Sequence, residues 1–244
     1  MSHVKNVDGY SRLVDVCTGY GGRFNPGHST LQLKAMRALL KEAQSSLHMV
    51  KQTKTDYNNV TNEREILFEE IRKRVTPIVR MLKSTGATEQ TMTDANQYAR
   101  LILGRVKSRP PVPSAESDDP QDSTGSPTRQ RQFTQQSYVS IAEHFGWLVQ
   151  TVERQPAYQP NEPELQVGSL RALYEQALAS IDKVAKAYVA WANARIKRNK
   201  VLYTADEALY GNVRAVKAYV SAVFGAQSEE YKEISRIRFT NYTS

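Results

Sequence analysis

The chain has 244 residues, 40% of them apolar and 24% charged, with 33 lysines and arginines against 25 acids for a net charge of +8. No run approaches the ~18 apolar residues of a membrane span, and Met1-Ser2-His3-Val4-Lys5-Asn6 lacks the apolar core of a leader, so the expected compartment is the cytoplasm. A single cysteine, Cys17, excludes an internal disulfide and reads as a small buried hydrophobe, while the positive charge permits a polyanionic partner without requiring one.

The first predicted element is a short helix over about 8–19, with Leu13, Val14, Val16 and Cys17 apolar. Gly19-Tyr20-Gly21-Gly22 follows as a connector: no strand precedes it and no GK[ST] follows, so it is not read as a phosphate cradle. Thr30 is the expected cap of the next helix. From Met36, through Leu39, Ala43, Leu47, Val50, Tyr57, Val60 and Leu67, to Ile71, Val75, Ile78 and Leu82, apolar residues recur at steps of three and four or their sums. That is one stripe of a long helix. Asn62-Glu63-Arg64-Glu65 carries a capping-box pattern, so the competing expectation is a break near 62. Ser84 to Thr88 then turns the chain through Gly86, and Thr88 caps a helix over 89–103.

Residues 108–132 read as a disordered linker. Five of the chain's ten prolines lie in 108–128 with Glu116, Asp118, Asp119 and Asp122, and the only apolar side chains there are Val112 and Ala115. So little apolar surface cannot offset the entropy of ordering.

The remaining elements repeat the first set. A helix is expected over about 134–153, then an aromatic-polar-Pro element at Tyr158, then a start near Asn161 or Glu162 with Pro163. A second long stripe runs from Leu170, through Leu173, Ala177, Ile181, Val184, Tyr188, Trp191 and Leu202, to Leu209, Val213, Val216, Val220 and Val223. Thr204-Ala205-Asp206-Glu207 is its capping-box pattern and predicted break point. Gly225 and Ser228 close this helix and cap a last one over 229–239.

The likeness is one of sequence. Shifted by 134 positions, residues 31–52 fall on 165–186 with eight identities: Leu31/Leu165, Gln32/Gln166, Arg37/Arg171, Ala38/Ala172, Leu39/Leu173, Ala43/Ala177, Ser46/Ser180 and Val50/Val184. Phe24-Asn25-Pro26 answers to Tyr158-Gln159-Pro160. A period this long marks a duplicated domain. The copies drift from an offset of 131 at Tyr57/Tyr188 to 142 at Leu67/Leu209, which places an 11-residue insertion after Arg195. Eleven residues make three helical turns, so the insertion is expected to lengthen the helix without rotating its apolar face. The fold class is therefore all-α: two homologous helical-bundle repeats, residues 1–107 and 133–244, with long antiparallel helices related by a pseudo-twofold axis.

Asn62-x-Arg64 and Asn193-x-Arg195 place an arginine on each apolar stripe. A polar residue in a helical seam fixes register at a cost in stability. Each arginine is expected to be partly buried and paired with a carboxylate or with helix-terminal carbonyls; a pocket for an anionic ligand is the functional alternative. Arg198 and Tyr203 complete the candidate polar seam. The basic runs Arg72-Lys73-Arg74 and Arg195-Lys197-Arg198-Lys200, with Tyr203 and Tyr210 nearby to stack on bases, are the candidate nucleic-acid residues; a solvated helix face is the simpler account. A third basic run is Arg105-Lys107-Arg109. The four histidines stand apart from other ligating residues, and no nucleophile elbow, HExxH or paired-carboxylate signature appears, so no metal, cofactor or catalytic residue is assigned.

Asn193-Ala194-Arg195, Arg198-Asn199, Leu202-Tyr203, Val216-Lys217-Ala218-Tyr219-Val220, Phe224-Gly225-Ala226, Tyr231-Lys232, Ile234 and Phe239 resemble a widespread bacterial family of tandemly duplicated helical proteins of no known function. The resemblance covers residues 193–239 well and the first copy chiefly at Asn62-Glu63-Arg64; it implies a cytoplasmic, helical, duplicated protein and carries no activity. The reading reached is a non-enzymatic structural or interaction protein, either a scaffold or self-assembling, with a protein partner or a second copy and no membrane. The alternative is a basic nucleic-acid-binding protein, and a ligand site at the Asn-x-Arg layer comes third.

Overall fold

The computed structural model describes residues 3–104, 137–205 and 207–242; the predicted linker at 108–132 and the Arg105-Lys107-Arg109 run lie outside them, as does Asp206 of the second capping box. Every regular element among the described residues is helical, as expected of an all-α chain: α1 (His3–Gly19), α2 (Leu33–Ser84), α3 (Glu89–Leu103), α4 (Tyr138–Glu153), α5 (Val167–Asn199), α6 (Leu209–Phe224) and α7 (Glu229–Ser235). Two 3₁₀ turns, Gly21–Arg23 and Ser29–Leu31, lead into α2, and a π turn, Lys200–Thr204, follows α5.

The 52-residue α2 runs through both Asn62 and Pro77. Phe68 and Ile71 beyond the capping-box pattern are fully buried. The second copy behaves otherwise. Its long helix stops in the π turn, where Val201, Leu202 and Tyr203 are buried one after another, which a regular helical face does not allow. Ala205 is extended, and α6 restarts after Ala208. Of the residues after Arg195, 196–199 lengthen α5 and Lys200–Thr204 form the π turn, so the surplus does not add three regular helical turns.

The helix starts differ from the predicted caps. Thr30 lies inside a 3₁₀ turn, and α2 opens one turn later, with Met36 N–H donating to the Gln32 carbonyl at 3.0 Å. Likewise α5 opens beyond Asn161 and Glu162, with Leu170 N–H donating to the Gln166 carbonyl at 3.0 Å. Thr88 and Ser228 do cap: their hydroxyls accept from Thr91 N–H at 3.3 Å and Tyr231 N–H at 3.1 Å. Gly86 and Gly225 take positive φ of 73° and 96°, where a Cβ would be strained.

The chain folds into two compact units, and each takes segments from both sides of residue 105. One comprises Met1–Asn59 and Ala185–Ser244; the other comprises Val60–Val184. The first buries Tyr10, Leu13 and Cys17 of α1 and Met36 of α2 with Leu202 of the π turn, Val216 and Val220 of α6 and Ile234 of α7. The second buries Phe68, Ile71, Val75 and Ile78 of α2 and Ile102 of α3 with Phe145 and Leu148 of α4 and Leu170 of α5.

Candidate functional site

The Asn-x-Arg residues fall in different units, with Asn62 and Arg64 in one and Asn193, Arg195, Arg198 and Tyr203 in the other. Arg64 is half-buried and lays its guanidinium over the Tyr138 ring at 3.9 Å, and that ring meets Phe68 edge-on at 4.8 Å. Its Nε is buried without a hydrogen-bond partner. Arg195 is exposed and sits 5.2 Å over the ring of Trp191, while Asn62 and Asn193 are exposed. Among the described residues neither arginine makes an ion pair, so the expected carboxylate pairing gives way to aromatic stacking. The neighbouring acids Glu63 and Glu65 adjoin Arg64 in sequence, and adjacent helical residues do not face one another.

Arg198 and Tyr203 do come together with α1 and the C-terminal residues. The Tyr203 hydroxyl receives Asn6 Nδ2 at 3.1 Å and lies 2.8 Å from His3 Nδ1. Asn6 also donates to the Thr240 carbonyl at 2.7 Å and accepts from Thr240 N–H at 3.1 Å. Tyr242 packs on the His3 ring at 4.8 Å. Burial, and then the nearby Arg198 charge, lower the pKa of His3 and so favour its neutral form. Burial raises that of Tyr203, opposed by Asn6 and Arg198. Arg198 itself donates to Asn199 Oδ1 at 2.7 Å. This network ties the start of α1, the π turn and residues 240–242 into one unit.

Beside it, the N-terminal part of α2, the π turn and the start of α6 enclose a cleft of about 600 Å³. Its charged lining has both signs, with Lys197 and Lys200 against Glu42 and Glu207. Asn212 on its wall is already engaged: it accepts from Tyr10 Oη at 2.8 Å and donates to the Thr30 carbonyl at 2.8 Å. Two predicted nucleic-acid residues, Lys197 and Lys200, therefore share this cleft with acids.

The first basic run is partly neutralised as well. Arg72 pairs with Glu69 at 3.2 Å; Arg74 pairs with Glu70 and donates to the Glu164 carbonyl at 3.2 Å; only Lys73 stands exposed without such a contact. Tyr203, predicted to stack on bases, is buried and cannot. The aromatic residues that do reach solvent lie on the apolar stripes: Tyr57 stacks on Trp191 at 5.5 Å and 21°, and Tyr188, 51% exposed, meets Tyr57 edge-on at 5.9 Å. Their sequence trace is the Tyr57/Tyr188 pairing of the two copies, which periodicity alone assigns to the core.

Among the described residues no group of three His, Cys, Asp or Glu side chains is placed to hold a metal, and no helix is long and apolar enough to cross a membrane. No protein family, curated protein or solved structure matches this chain.

Proposed function

We propose that this chain is a non-enzymatic structural or interaction protein of the cytoplasm, built from two tandem repeats about a pseudo-twofold axis and akin to the bacterial duplicated helical proteins that residues 193–239 resemble. The helix ends support the duplication. α1 ends at Gly19 and α4 at Glu153, and α2 begins at Leu33 and α5 at Val167, both pairs 134 residues apart. Shifted by 135, the buried face of α1 falls on that of α4: Asn6/Ile141, Val7/Ala142, Tyr10/Phe145, Leu13/Leu148, Val14/Val149 and Cys17/Val152. Ser46 and Ser180 each donate to a carbonyl three residues back, at 2.7 Å in both.

One observation carries the functional half of the reading: where the fold puts its buried polar groups. Asn6, Tyr10, Asn212 and Tyr203 bind one another or backbone carbonyls of distant segments, so they hold helices together instead of converging on a reactant. Surface apolar side chains are available to a partner, among them Val139 at 59% and Trp147 at 45% exposure on α4. Buried, unpaired Cys17 suits a reducing compartment.

Solution mass tests this reading. In about 1 M salt, where charges are screened within roughly 3 Å, light scattering over a concentration series should give assemblies heavier than the 27.6 kDa chain. Trp147→Asp should dissociate them. A single-chain mass at every concentration, unaltered by that substitution, overturns self-assembly through the α4 face.

A further inference from the structure

Tyr188 is half open to solvent while its edge is fixed by two other rings. Tyr57 meets it at 5.9 Å and 60°, Trp191 at 6.2 Å and 78°, and those two stack on each other. Cations flank the cluster: Lys54 Nζ is 5.9 Å and Arg195 Cζ 5.2 Å from the Trp191 ring centre. On α5, Tyr188, Trp191, Arg195 and Arg198 follow at steps of three, four and three, which is one helical face.

The charge around this face is lopsided. Residues 49–59 of α2 carry Lys51 and Lys54 against Asp56, and residues 185–200 of α5 carry five lysines and arginines and no acid. Of these, Lys197 and Lys200 line the cleft shared with Glu42 and Glu207, and Arg198 is half-buried beside His3 and Tyr203, so the exposed remainder is Lys51, Lys54, Lys186 and Arg195 against Asp56, a net +3. A second copy is a poor occupant, because a twofold contact would press the same cationic patch against itself. A polyanion is the complementary partner, and the exposed aromatic face adds a demand that charge alone does not make: the partner must offer free planar groups to stack. Duplex bases are already stacked on each other; those of a single strand are free.

We propose that this face of α2 and α5 binds a single-stranded nucleic acid, with a base stacked on Tyr188 and the flanking phosphates held by Lys54 and Arg195. The proposal rests on the interaction-protein reading and gives it a partner class.

Trp147 and Trp191 are the chain's two tryptophans, so Trp147→Phe leaves Trp191 as a reporter within the site. The full chain carrying that substitution is titrated with a thymidine 20-mer, a 20-base-pair duplex and polyglutamate, at about 50 and 200 mM salt. Trp191 emission should quench with the single strand, with affinity at least tenfold above that for the duplex or polyglutamate. Tyr188→Ala should weaken single-strand binding about 5- to 150-fold, the span of one lost base stack, and Tyr188→Phe should restore it. Arg195→Ala should reduce the salt slope by about 0.7, one phosphate on a single strand. Circular dichroism verifies that these surface substitutions leave the fold intact. Equal affinity for all three polymers, no binding at 50 mM salt, or indifference to Tyr188→Ala overturns the proposal. Assemblies that form in high salt without nucleic acid and dissolve with Tyr188→Ala also overturn it, while leaving the interaction reading standing.

Discussion

The ring of Tyr174 on α5 lies across the backbone of Gly146 on α4, so close that a Cβ built there would meet ring carbons at 2.8 and 2.9 Å. Two effects then oppose each other on Gly146→Ala. Alanine gains roughly 0.5–1 kcal/mol of helix propensity, while displacing a packed ring costs about 1–3 kcal/mol. The contact wins, so urea denaturation should find Gly146→Ala destabilised by about 1 kcal/mol. Tyr174→Leu removes the ring, and in that background the sign should reverse. A stabilising Gly146→Ala in the parent chain would mean that the ring swings aside freely.

Tyr10 and Asn212 bind across 202 residues of sequence at 2.8 Å, and both are buried. Tyr10→Phe keeps the packing and deletes the donor, leaving Asn212 Oδ1 without its partner. The expected loss is about 1–3 kcal/mol, the cost of an orphaned buried acceptor. Tyr20 also donates, to the Glu230 carbonyl at 2.8 Å, but from a half-exposed position where water can substitute. Tyr20→Phe should therefore cost clearly less. Equal losses for the two variants in chemical denaturation contradict the account.

Alkali should unfold this protein earlier than its neutral stability suggests. Burial pushes the Cys17 thiol from 9.0 up to about 12, and the Tyr158 and Tyr20 hydroxyls from 10.0 up to about 12; it raises Tyr10 as well. Each raised pKa means that the folded state keeps a proton which the unfolded chain gives up. Their contribution is complete below pH 9 and is lost as pH rises from there toward 12. The urea midpoint should be flat from pH 7 to about 9, decline from the Cys17 step, and steepen past pH 10 as the tyrosines join. Cys17→Ala should flatten the window between pH 9 and 10 and leave the later decline. The same slope in both proteins would remove Cys17 from the explanation.

Local signals told most of the fold. The 3.6-residue stripes located α2, α5 and α6, Gly86 and Gly225 marked the turns after α2 and α6, and Thr88 and Ser228 the starts of α3 and α7, because caps and left-handed turns depend on nearest neighbours. The π turn was not legible. Its driving force is the burial of Leu202 and Tyr203 against α1, almost 200 residues away, and no local pattern records that contact. The same capping-box pattern was overridden in α2 at 62 and coincided with a true interruption near 204, since packing beyond the motif decides whether a helix restarts. Of the candidate seam, Arg64 was found in a half-buried place but with an aromatic partner, Tyr138, supplied by a helix 74 positions on. The Tyr57–Tyr188–Trp191 cluster was hidden because an amphipathic stripe looks alike whether its aromatics are covered or bare.

The composition of each compact unit from both sides of residue 105 makes the connection between the halves dispensable once folding is complete. In the unit of Met1–Asn59 and Ala185–Ser244, α1 and the start of α2 share a core with α6 and α7, so neither set buries its apolar face alone. The unit of Val60–Val184 joins α3 and the end of α2 to α4 and the start of α5 in the same way. A protease site placed within 108–132 and cut in the folded protein should leave two fragments that co-elute as one particle with unchanged helical signal. Cutting converts an intramolecular closure into a bimolecular one, so thermal unfolding, independent of protein concentration beforehand, should become concentration-dependent afterwards. Tyr10→Phe should lower the melting temperature of the nicked complex further, because Tyr10 and Asn212 then sit on different chains. Fragments that separate on sizing with their helicity intact would mean that each half folds by itself, and would refute the shared cores.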